Sequence, residues 1–213
     1  MNRTGRRLVA AVLASLLCTG AYAGVVATNS SYGVIDGATV DRSLDVTSHG
    51  SITDLNISVE FAKCDDPPIG PAGSQCLSTR DPFEEEFEMI LIAPDGTRVE
   101  LVSLFATYSG VATRGAGRVK LGFDDEAADP VGPFIAAGSF RPAQALSAFD
   151  GMDMFGTWTL RMRDFLNSDP LEFFSAQLDI SAGTGPSPVP EPATLAMLGL
   201  GLMGMRVARR RKA

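Results

Sequence analysis

Residues 87–102, FEMILIAPDGTRVELV, contain two short apolar segments on either side of a turn signal. Every second residue from Phe87 to Leu91 is apolar, which is the period-2 spacing of a half-buried β-strand. The tripeptide Pro94-Asp95-Gly96 follows, and it favours a turn because proline fixes φ while glycine accepts a positive φ. Apolar alternation resumes at Val99. The stretch therefore predicts an antiparallel hairpin.

Three further segments of the chain show the same alternation, at residues 55–61, 157–163 and 174–180. No segment between the two ends shows helical spacing, and glycine and proline separate the alternating segments. Several short strands, each with one polar face, predict an all-β chain folded as an antiparallel β-sandwich. Trp158 and Phe149 are predicted to lie in its core rather than to form a sugar-binding platform.

The first 23 residues have the pattern of a secretory signal peptide. Three arginines precede an apolar stretch from Leu8 to Leu17, and small residues flank Tyr22 as in a signal peptidase site. We therefore predict cleavage between Ala23 and Gly24, with export of the remainder of the chain.

The C-terminal segment combines a short apolar run with a basic end. Residues 193–205 are Ala, Leu, Met and Gly apart from Thr194, and Arg206 and the cluster at 209–212 follow them. A basic cluster after an apolar run is a stop-transfer pattern that keeps the basic end in the cytoplasm. As a helix this run reaches about 20 Å, whereas the hydrocarbon core of a bilayer is about 30 Å thick. The run therefore suits transient anchoring better than a permanent span.

The segment Val189-Pro190-Glu191-Pro192-Ala193 directly precedes this apolar run. Together with the run and the basic end, it resembles the PEP-CTERM sorting signal of Gram-negative bacteria, here at residues 189–213. In that family a membrane enzyme, exosortase, processes the tail at the Pro-Glu-Pro segment. The resemblance implies that Pro190, Glu191 and Pro192 are sorting residues. It also implies a transient inner-membrane anchor and delivery to the cell surface or the extracellular matrix.

The remaining body, residues 24–183, is long enough for one domain with a full core, and a Gly/Pro/Ser linker at 184–188 joins it to the tail. Eight of the 18 Lys and Arg residues and one of the 25 Asp and Glu residues lie in the two end segments. The body thus has 10 basic and 24 acidic residues and a net charge of −14. This balance argues against nucleic acid and anionic membrane surfaces as partners and is compatible with divalent cations.

Two cysteines, Cys64 and Cys76, lie on either side of a Pro/Gly-rich segment of the body. An even number of cysteines in an exported chain favours a disulfide. Closing a loop this short contributes about 3 kcal/mol in the chain-entropy model. Two free thiols are the alternative interpretation.

Short stretches of the body carry a second resemblance: ITDLNI at 52–57, FEMILIAPDGT at 87–97, FDD at 123–125, FDG at 149–151, GTWTL at 156–160, and Asp164. In this order they resemble the P domain (P/Homo B domain) that follows the catalytic domain of subtilisin-like proprotein convertases. The resemblance spans about residues 35–181 and departs from the family pattern at Pro170, where the family usually has glycine. It implies a jelly-roll-like, galactose-binding-like β-sandwich and does not imply proteolysis.

Calcium is the one cofactor that the residues suggest, because its sites need several oxygen ligands. Asp124 and Asp125 belong to one predicted loop, and Asp164 and Asp169 follow the strand of Trp158. Since loops at one end of a sandwich converge, the four carboxylates predict one shared calcium site. Solvated acidic loops are the alternative.

Other titratable residues do not indicate catalysis or zinc. His49 is the single histidine of the chain; it lies in Ser48-His49-Gly50, which predicts a surface turn rather than the base of a catalytic triad. One histidine and two cysteines expected to be oxidised do not supply a structural zinc site. Glu84, Glu85, Glu86 and Glu88 are predicted to form an exposed acidic edge that discourages pairing between sheets.

The sequence therefore predicts an exported, non-catalytic surface protein. Its sandwich would bind exopolysaccharide or a surface protein, or serve as structure. Two alternatives stay open at this point. One is a protease-associated or hydrolytic secreted protein that uses carboxylates, and the other is a plain inner-membrane-anchored periplasmic protein without sorting.

Overall fold

The computed structural model describes residues 22–110 and 114–183. This part of the chain consists of ten strands and two short 3-10 turns, at Glu84–Glu86 and Leu146–Phe149. The strands are β1 (Tyr22–Asn29), β2 (Gly33–Ile35), β3 (Thr39–Val46), β4 (Ser51–Lys63), β5 (Phe87–Ile92), β6 (Arg98–Val102), β7 (Gly117–Phe123), β8 (Gly138–Phe140), β9 (Gly156–Asp164) and β10 (Leu171–Gly183).

The strands form two sheets that pack as a sandwich, which confirms the predicted fold class. One sheet has the order β1-β10-β4-β7-β8, with β2 also paired to β10, and the other has the order β3-β9-β5-β6. Neighbouring strands run antiparallel except β7 and β8, which are parallel. The two longest strands, β4 and β10, pair along almost their whole length at the centre of the larger sheet.

The hairpin predicted from residues 87–102 is confirmed as β5 and β6. The N–H of Gly96 donates to the carbonyl of Ala93, and the N–H of Ala93 donates to the carbonyl of Thr97, both at 2.9 Å. Gly96 has a φ of 93°, which is the left-handed region that glycine enters without steric cost. The turn residues therefore have the role that their sequence indicates.

The core lies between the sheets and is built by the inward residues of alternating strands. Trp158 on β9 is fully buried, as is Phe149, and their rings meet edge to face with centroids 5.0 Å apart. The indole N–H of Trp158 donates to the carbonyl of Met154 at 2.9 Å, so the buried ring leaves no unpaired donor. The prediction that both aromatic residues are core residues is confirmed.

Strand β10 departs from the predicted alternation at one point. Its register against β4 shifts between Phe173 and Ser175, which marks a β-bulge. Ala176, Leu178 and Ile180 keep the predicted inward positions in the main core. Phe174 instead packs in a second apolar cluster with Cys64 and Ile69. A bulge reverses the facing of a residue, and alternation alone does not reveal it.

The register gives the sandwich two distinguishable ends. At one end β1 begins and β10 finishes, because Tyr22 pairs with Gly183; we call this the tail end. At the other end β10 begins, where Leu171 pairs with Lys63, and we call this the distal end. In the smaller sheet, the pairing of Phe87 with Asp164 also lies at the distal end.

Candidate functional site

The predicted sorting residues Pro190, Glu191 and Pro192 lie outside the residues that the structure describes, and so does the apolar run at 193–205. Within residues 22–110 and 114–183, no helix has the length and apolar character needed to cross a bilayer.

The predicted signal cleavage site lies inside β1. Ala23 pairs with Ala182 and Gly24 pairs with Ser181 in the register of β1 and β10. Cleavage between Ala23 and Gly24 would remove the first two residues of the strand and retain the pairing of its other residues. Cleavage at this bond therefore stays a prediction, and it is compatible with an intact sandwich.

The predicted disulfide is present and closes the loop between β4 and the first 3-10 turn. Cys64 and Cys76 are bonded, with their Cα atoms 5.5 Å apart. Inside this loop, the N–H groups of Ile69 and Gly70 donate to the carboxylate of Glu172 at 2.7 and 2.8 Å. The disulfide and the fully buried Glu172 thus hold the loop against β10.

The four predicted calcium ligands do not come together. Asp124 and Asp125 follow the end of β7, which pairs with β4 at Ile57. Asp164 ends β9 and contacts Lys63, which is six positions further along β4. Six extended residues cover about 20 Å, so the two acidic pairs lie at opposite ends of the sandwich. The expectation that they share one ion is wrong, because β7 and β9 finish at different ends.

The carboxylates near the tail end have partners within the chain. The two oxygens of Asp125 accept the N–H groups of Leu146 and Ser147 at 2.9 and 2.8 Å. Asp124 accepts the N–H of Glu126 at 2.8 Å. The bonds of Asp125 fasten the loop after β7 to the second 3-10 turn, and the bond of Asp124 lies within the loop. Among the described residues, no group of three or more His, Cys, Asp or Glu side chains is arranged to hold a metal ion.

The carboxylates at the distal end surround a buried lysine. The Nζ of Lys63 lies 2.5 Å from Oε1 of Glu86 and 2.9 Å from Oδ2 of Asp164. It donates a third hydrogen bond to the backbone carbonyl of Asp169. The side chains of Lys63 and Asp164 are fully buried and that of Glu86 is 1% exposed. We call Lys63, Glu86 and Asp164 the Lys63 cluster.

Strand alternation explains why this cluster is buried. Lys63 continues the inward series of β4 that includes Phe61, and Asp164 continues the inward series of β9 that includes Met162. The two strands belong to different sheets, so the cluster joins the sheets at the distal end. Neither Lys63 nor its pairing was identified from sequence, although a charged residue at an inward position of each strand was the available signal.

The predicted acidic edge is wrong for two of its members. Glu84 and Glu86 are 2% and 1% exposed, because the 3-10 turn before β5 directs them inward, whereas Glu85 is exposed. Oε2 of Glu84 accepts the N–H of Ile135 at 3.3 Å, and its Oε1 has no partner among the described residues. Burial raises the pKa of the Glu84 carboxyl above its usual range.

The electrostatics of the Lys63 cluster favour protonated carboxyl groups. Burial raises the pKa of both Glu86 and Asp164, and this effect exceeds the opposing contribution of Lys63. Oε2 of Glu86 and Oδ1 of Asp164 have no hydrogen-bond partner within the described part of the chain. An ionised oxygen without a partner is costly in a dry site. The arrangement therefore holds an amine against carboxyl groups in a site shielded from water.

His49 lies on the surface between β3 and β4, as predicted, with its side chain 70% exposed. Its Nδ1 is 2.7 Å from Oδ2 of Asp153, and its ring stacks on Phe155 with centroids 4.2 Å apart. The hydrogen bond with His49 lowers the pKa of the Asp153 carboxyl. These contacts fix a surface turn at the tail end.

An exposed group of aromatic side chains also occupies the distal end. Phe83 is 62% exposed and Phe105 is 51% exposed. Phe105 meets Phe165 edge to face with ring centroids 5.5 Å apart. The N–H groups of Phe105 and Phe165 donate to the carbonyls of Glu85 and Glu86, which places both rings beside the first 3-10 turn. We call Phe83, Phe105 and Phe165 the distal aromatic patch.

Comparison with known proteins identifies the tail and not the body. Residues 188–212 match the family model described as the PEP-CTERM protein-sorting motif. No curated protein matches the chain, and the resemblance of the body to the P domain stays a prediction. Proteins with this motif are exported, processed by the membrane enzyme exosortase and sorted to the cell surface. The chain is therefore a β-sandwich protein that carries a PEP-CTERM sorting motif at residues 188–212.

Proposed function

We propose that exosortase-type processing of the tail delivers this protein to the cell surface or extracellular matrix of a Gram-negative bacterium. There its body acts as a non-catalytic, P-domain-like module that binds a matrix polysaccharide or surface protein. The observation that carries the proposal is the match of residues 188–212 to the sorting motif.

The topology of the sandwich supports this route. Strand β1 begins beside the end of β10, since Tyr22 pairs with Gly183. The predicted signal peptide and the sorting tail therefore join the body at the same end. A body attached in this way can be tethered at the membrane through either segment without any rearrangement of its sheets.

The chemistry of the body suits an oxidising compartment outside the cytoplasm. The Cys64–Cys76 disulfide is of the kind that persists in exported proteins and is rare in the cytosol. The net charge of −14 for residues 24–183 favours solubility and disfavours adsorption to anionic lipid.

The distal aromatic patch supports a binding role for the body. Aromatic residues are enriched at protein interfaces, and contiguous exposed apolar groups mark interaction sites. Phe105 and Phe165 expose rings in contact with each other at the end opposite the tail, and Phe83 is exposed directly before the same 3-10 turn. A protein held at the membrane through its tail would present this patch outward.

Glu191→Ala tests the sorting step in a Gram-negative host that encodes an exosortase. Glu191 lies within the matched motif, so its loss should prevent processing. We expect wild-type protein in the surface and released fractions, and the variant in the inner-membrane fraction. Quantitative immunoblots of the separated fractions measure the difference.

Glu126→Ala is the matched control, because Glu126 is an exposed glutamate of the body. This variant should distribute as the wild type does. Identical distributions of wild type and Glu191→Ala would contradict exosortase-type sorting and favour a plain membrane anchor.

A further inference from the structure

The Lys63 cluster has features that an ordinary buried ion pair does not require. Lys63 lies on β4 and Asp164 on β9, so the contact of 2.9 Å between Nζ and Oδ2 connects the two sheets. Both side chains are fully buried. One oxygen of Asp164 and one of Glu86 lack any hydrogen-bond partner in the described part of the chain. In a buried cluster that serves only to pair charges, these oxygens are expected to accept hydrogen bonds as well.

We propose that Lys63 and Asp164 condense into an intramolecular isopeptide bond, an amide between their side chains that covalently joins the two sheets. Neither the sorting motif nor the resemblance to the P domain assigns such a modification. The proposal is independent of how the chain is sorted.

Burial provides the reactive forms of both groups. In water near pH 7, lysine is protonated and aspartate is ionised, and this pair does not condense. In the dry site, transfer of a proton from Nζ of Lys63 through Glu86 to Oδ1 of Asp164 leaves a neutral amine and a neutral carboxylic acid. The raised pKa of Asp164, which burial causes, agrees with this proton position.

The condensation balances without any co-reactant. The lone pair of Nζ attacks Cγ of Asp164, and a C–N bond forms. Nζ loses a proton, the protonated Oδ1 accepts one, and the bond from Cγ to Oδ1 breaks. The products are an amide and one water molecule, with no change of oxidation state.

Glu86 is placed to carry the proton. Its Oε1 lies 2.5 Å from Nζ, so it can accept the proton that the amine releases. The carboxyl of Glu86 also lies close to Asp164, and the negative charge of an ionised Asp164 raises the pKa of Glu86 further. Delivery of the same proton to Oδ1 of Asp164 would complete general acid–base catalysis of the condensation.

A backbone donor favours Asp164 over Glu86 as the reacting carboxyl. The N–H of Leu171 donates to Oδ2 of Asp164 at 3.0 Å. Negative charge gathers on this oxygen when the amine adds to Cγ, and a fixed donor stabilises it. Oδ1 has no partner and is free to leave as water. Fixed proximity of the reactants corresponds to effective concentrations of about 10⁵–10⁸ M in favourable cases.

The wild-type protein gives the primary test, by tryptic peptide mapping after expression of the full chain and reduction of its disulfide. Trypsin does not cut after a lysine whose amine is in an amide. We expect the peptide of residues 43–80, uncut after Lys63, linked to the peptide that contains Asp164. The combined mass should be one water molecule less than the sum of the two. Recovery of a free peptide ending at Lys63 in place of this product would overturn the proposal.

A loss of water supports the cross-link only if it occurs between the two peptides and not within one of them. Asp-Gly sequences, such as Asp95-Gly96 and Asp150-Gly151, lose water when they cyclise to a succinimide. That loss stays within one linear peptide, and it would contradict the proposal if it accounted for the whole mass difference. Fragmentation that places the bond between Lys63 and Glu86 would contradict the assignment to Asp164.

Three variants test the roles of the residues. Glu86→Gln removes the proton carrier and should yield protein of full mass, with free Lys63. Asp164→Asn should replace the loss of water by a loss of ammonia, because the leaving group becomes an amide nitrogen. The control Glu60→Gln changes a glutamate on the same strand as Lys63, where Glu60 pairs with Arg118 at 2.9 Å, and it should retain the cross-link.

Persistence of the cross-link at wild-type yield in Glu86→Gln would overturn the role of Glu86. Its loss in Glu60→Gln would show that any weakening of β4 prevents the bond, and would count against specific chemistry in the cluster. The map of the wild type decides the main claim even if a variant fails to fold.

Discussion

Glu84 is a buried carboxyl group without a cationic hydrogen-bond partner. It is 2% exposed, and one of its oxygens is unpaired among the described residues. Burial raises the pKa of this group above its ordinary value of 4.5. Its contribution to stability is therefore fully present below pH 4.5 and is lost as the pH rises through the raised pKa.

Glu84→Gln should stabilise the protein at neutral pH. The amide keeps an acceptor for the N–H of Ile135 and removes the charge that burial disfavours. We expect the free energy of unfolding to rise by about 1–3 kcal/mol at pH 7, which is the cost of an unsatisfied buried group. Below pH 4.5 the difference should vanish. Urea unfolding at several pH values measures both effects.

The exposed Glu126 supplies the control, since Glu126→Gln should change stability little at either pH. A Glu84→Gln variant that is less stable than wild type at pH 7 would show that the ionised carboxylate is the form the fold requires.

Residue identity predicted the core better than it predicted the Lys63 cluster. Trp158 and Phe149 are fully buried, as expected from apolar residues at alternating or flanking positions. Lys63 and Asp164 occupy inward positions of the same alternation, yet lysine and aspartate are seldom buried. Their burial depends on strands of two different sheets meeting at one end, and a pattern within one strand does not contain that information.

At the scale of elements, the disulfide loop is the segment that depends most on one covalent link. Cys64 packs with Ile69 and Phe174 in a small apolar cluster outside the main core. The loop that it closes spans 12 positions and contains no strand. Besides the disulfide, hydrogen bonds hold this loop, among them those of Ile69 and Gly70 to Glu172 and that of the Arg118 N–H to the carbonyl of Ser74.

Replacing both Cys64 and Cys76 by serine should lower the free energy of unfolding by about 3 kcal/mol, because the unfolded chain regains the entropy of the open loop. Denaturant unfolding measures this change. Reduced wild-type protein should lose a similar amount. A double variant as stable as the oxidised wild type would show that the hydrogen bonds of Glu172 hold the loop without the disulfide.

Strong alternation made three strands, β4, β9 and β10, and the β5–β6 hairpin predictable, whereas other elements gave weaker signals. β2 and β8 have three residues each, which is too short for a period to be recognised. β1 overlaps the region assigned to the signal peptide. The acidic loops were recognised as loops, but their separation follows from opposite strand directions, which only the sheet topology provides.

At the scale of the whole molecule, the topology assigns different surroundings to the two ends of the sandwich. The tail end carries both connections to the predicted membrane-directed segments. The distal end carries the Lys63 cluster and the distal aromatic patch. A covalent bond between the sheets at the distal end would resist their separation where a partner pulls on the patch.

Processing of the sorting tail is the central claim, and the mass of the C-terminal peptide of surface-exposed protein tests it most directly. Protein recovered from intact cells of an exosortase-encoding host should have lost the cluster Arg209 to Lys212, which follows the apolar run. Surface protein that still carries this basic terminus would contradict the account.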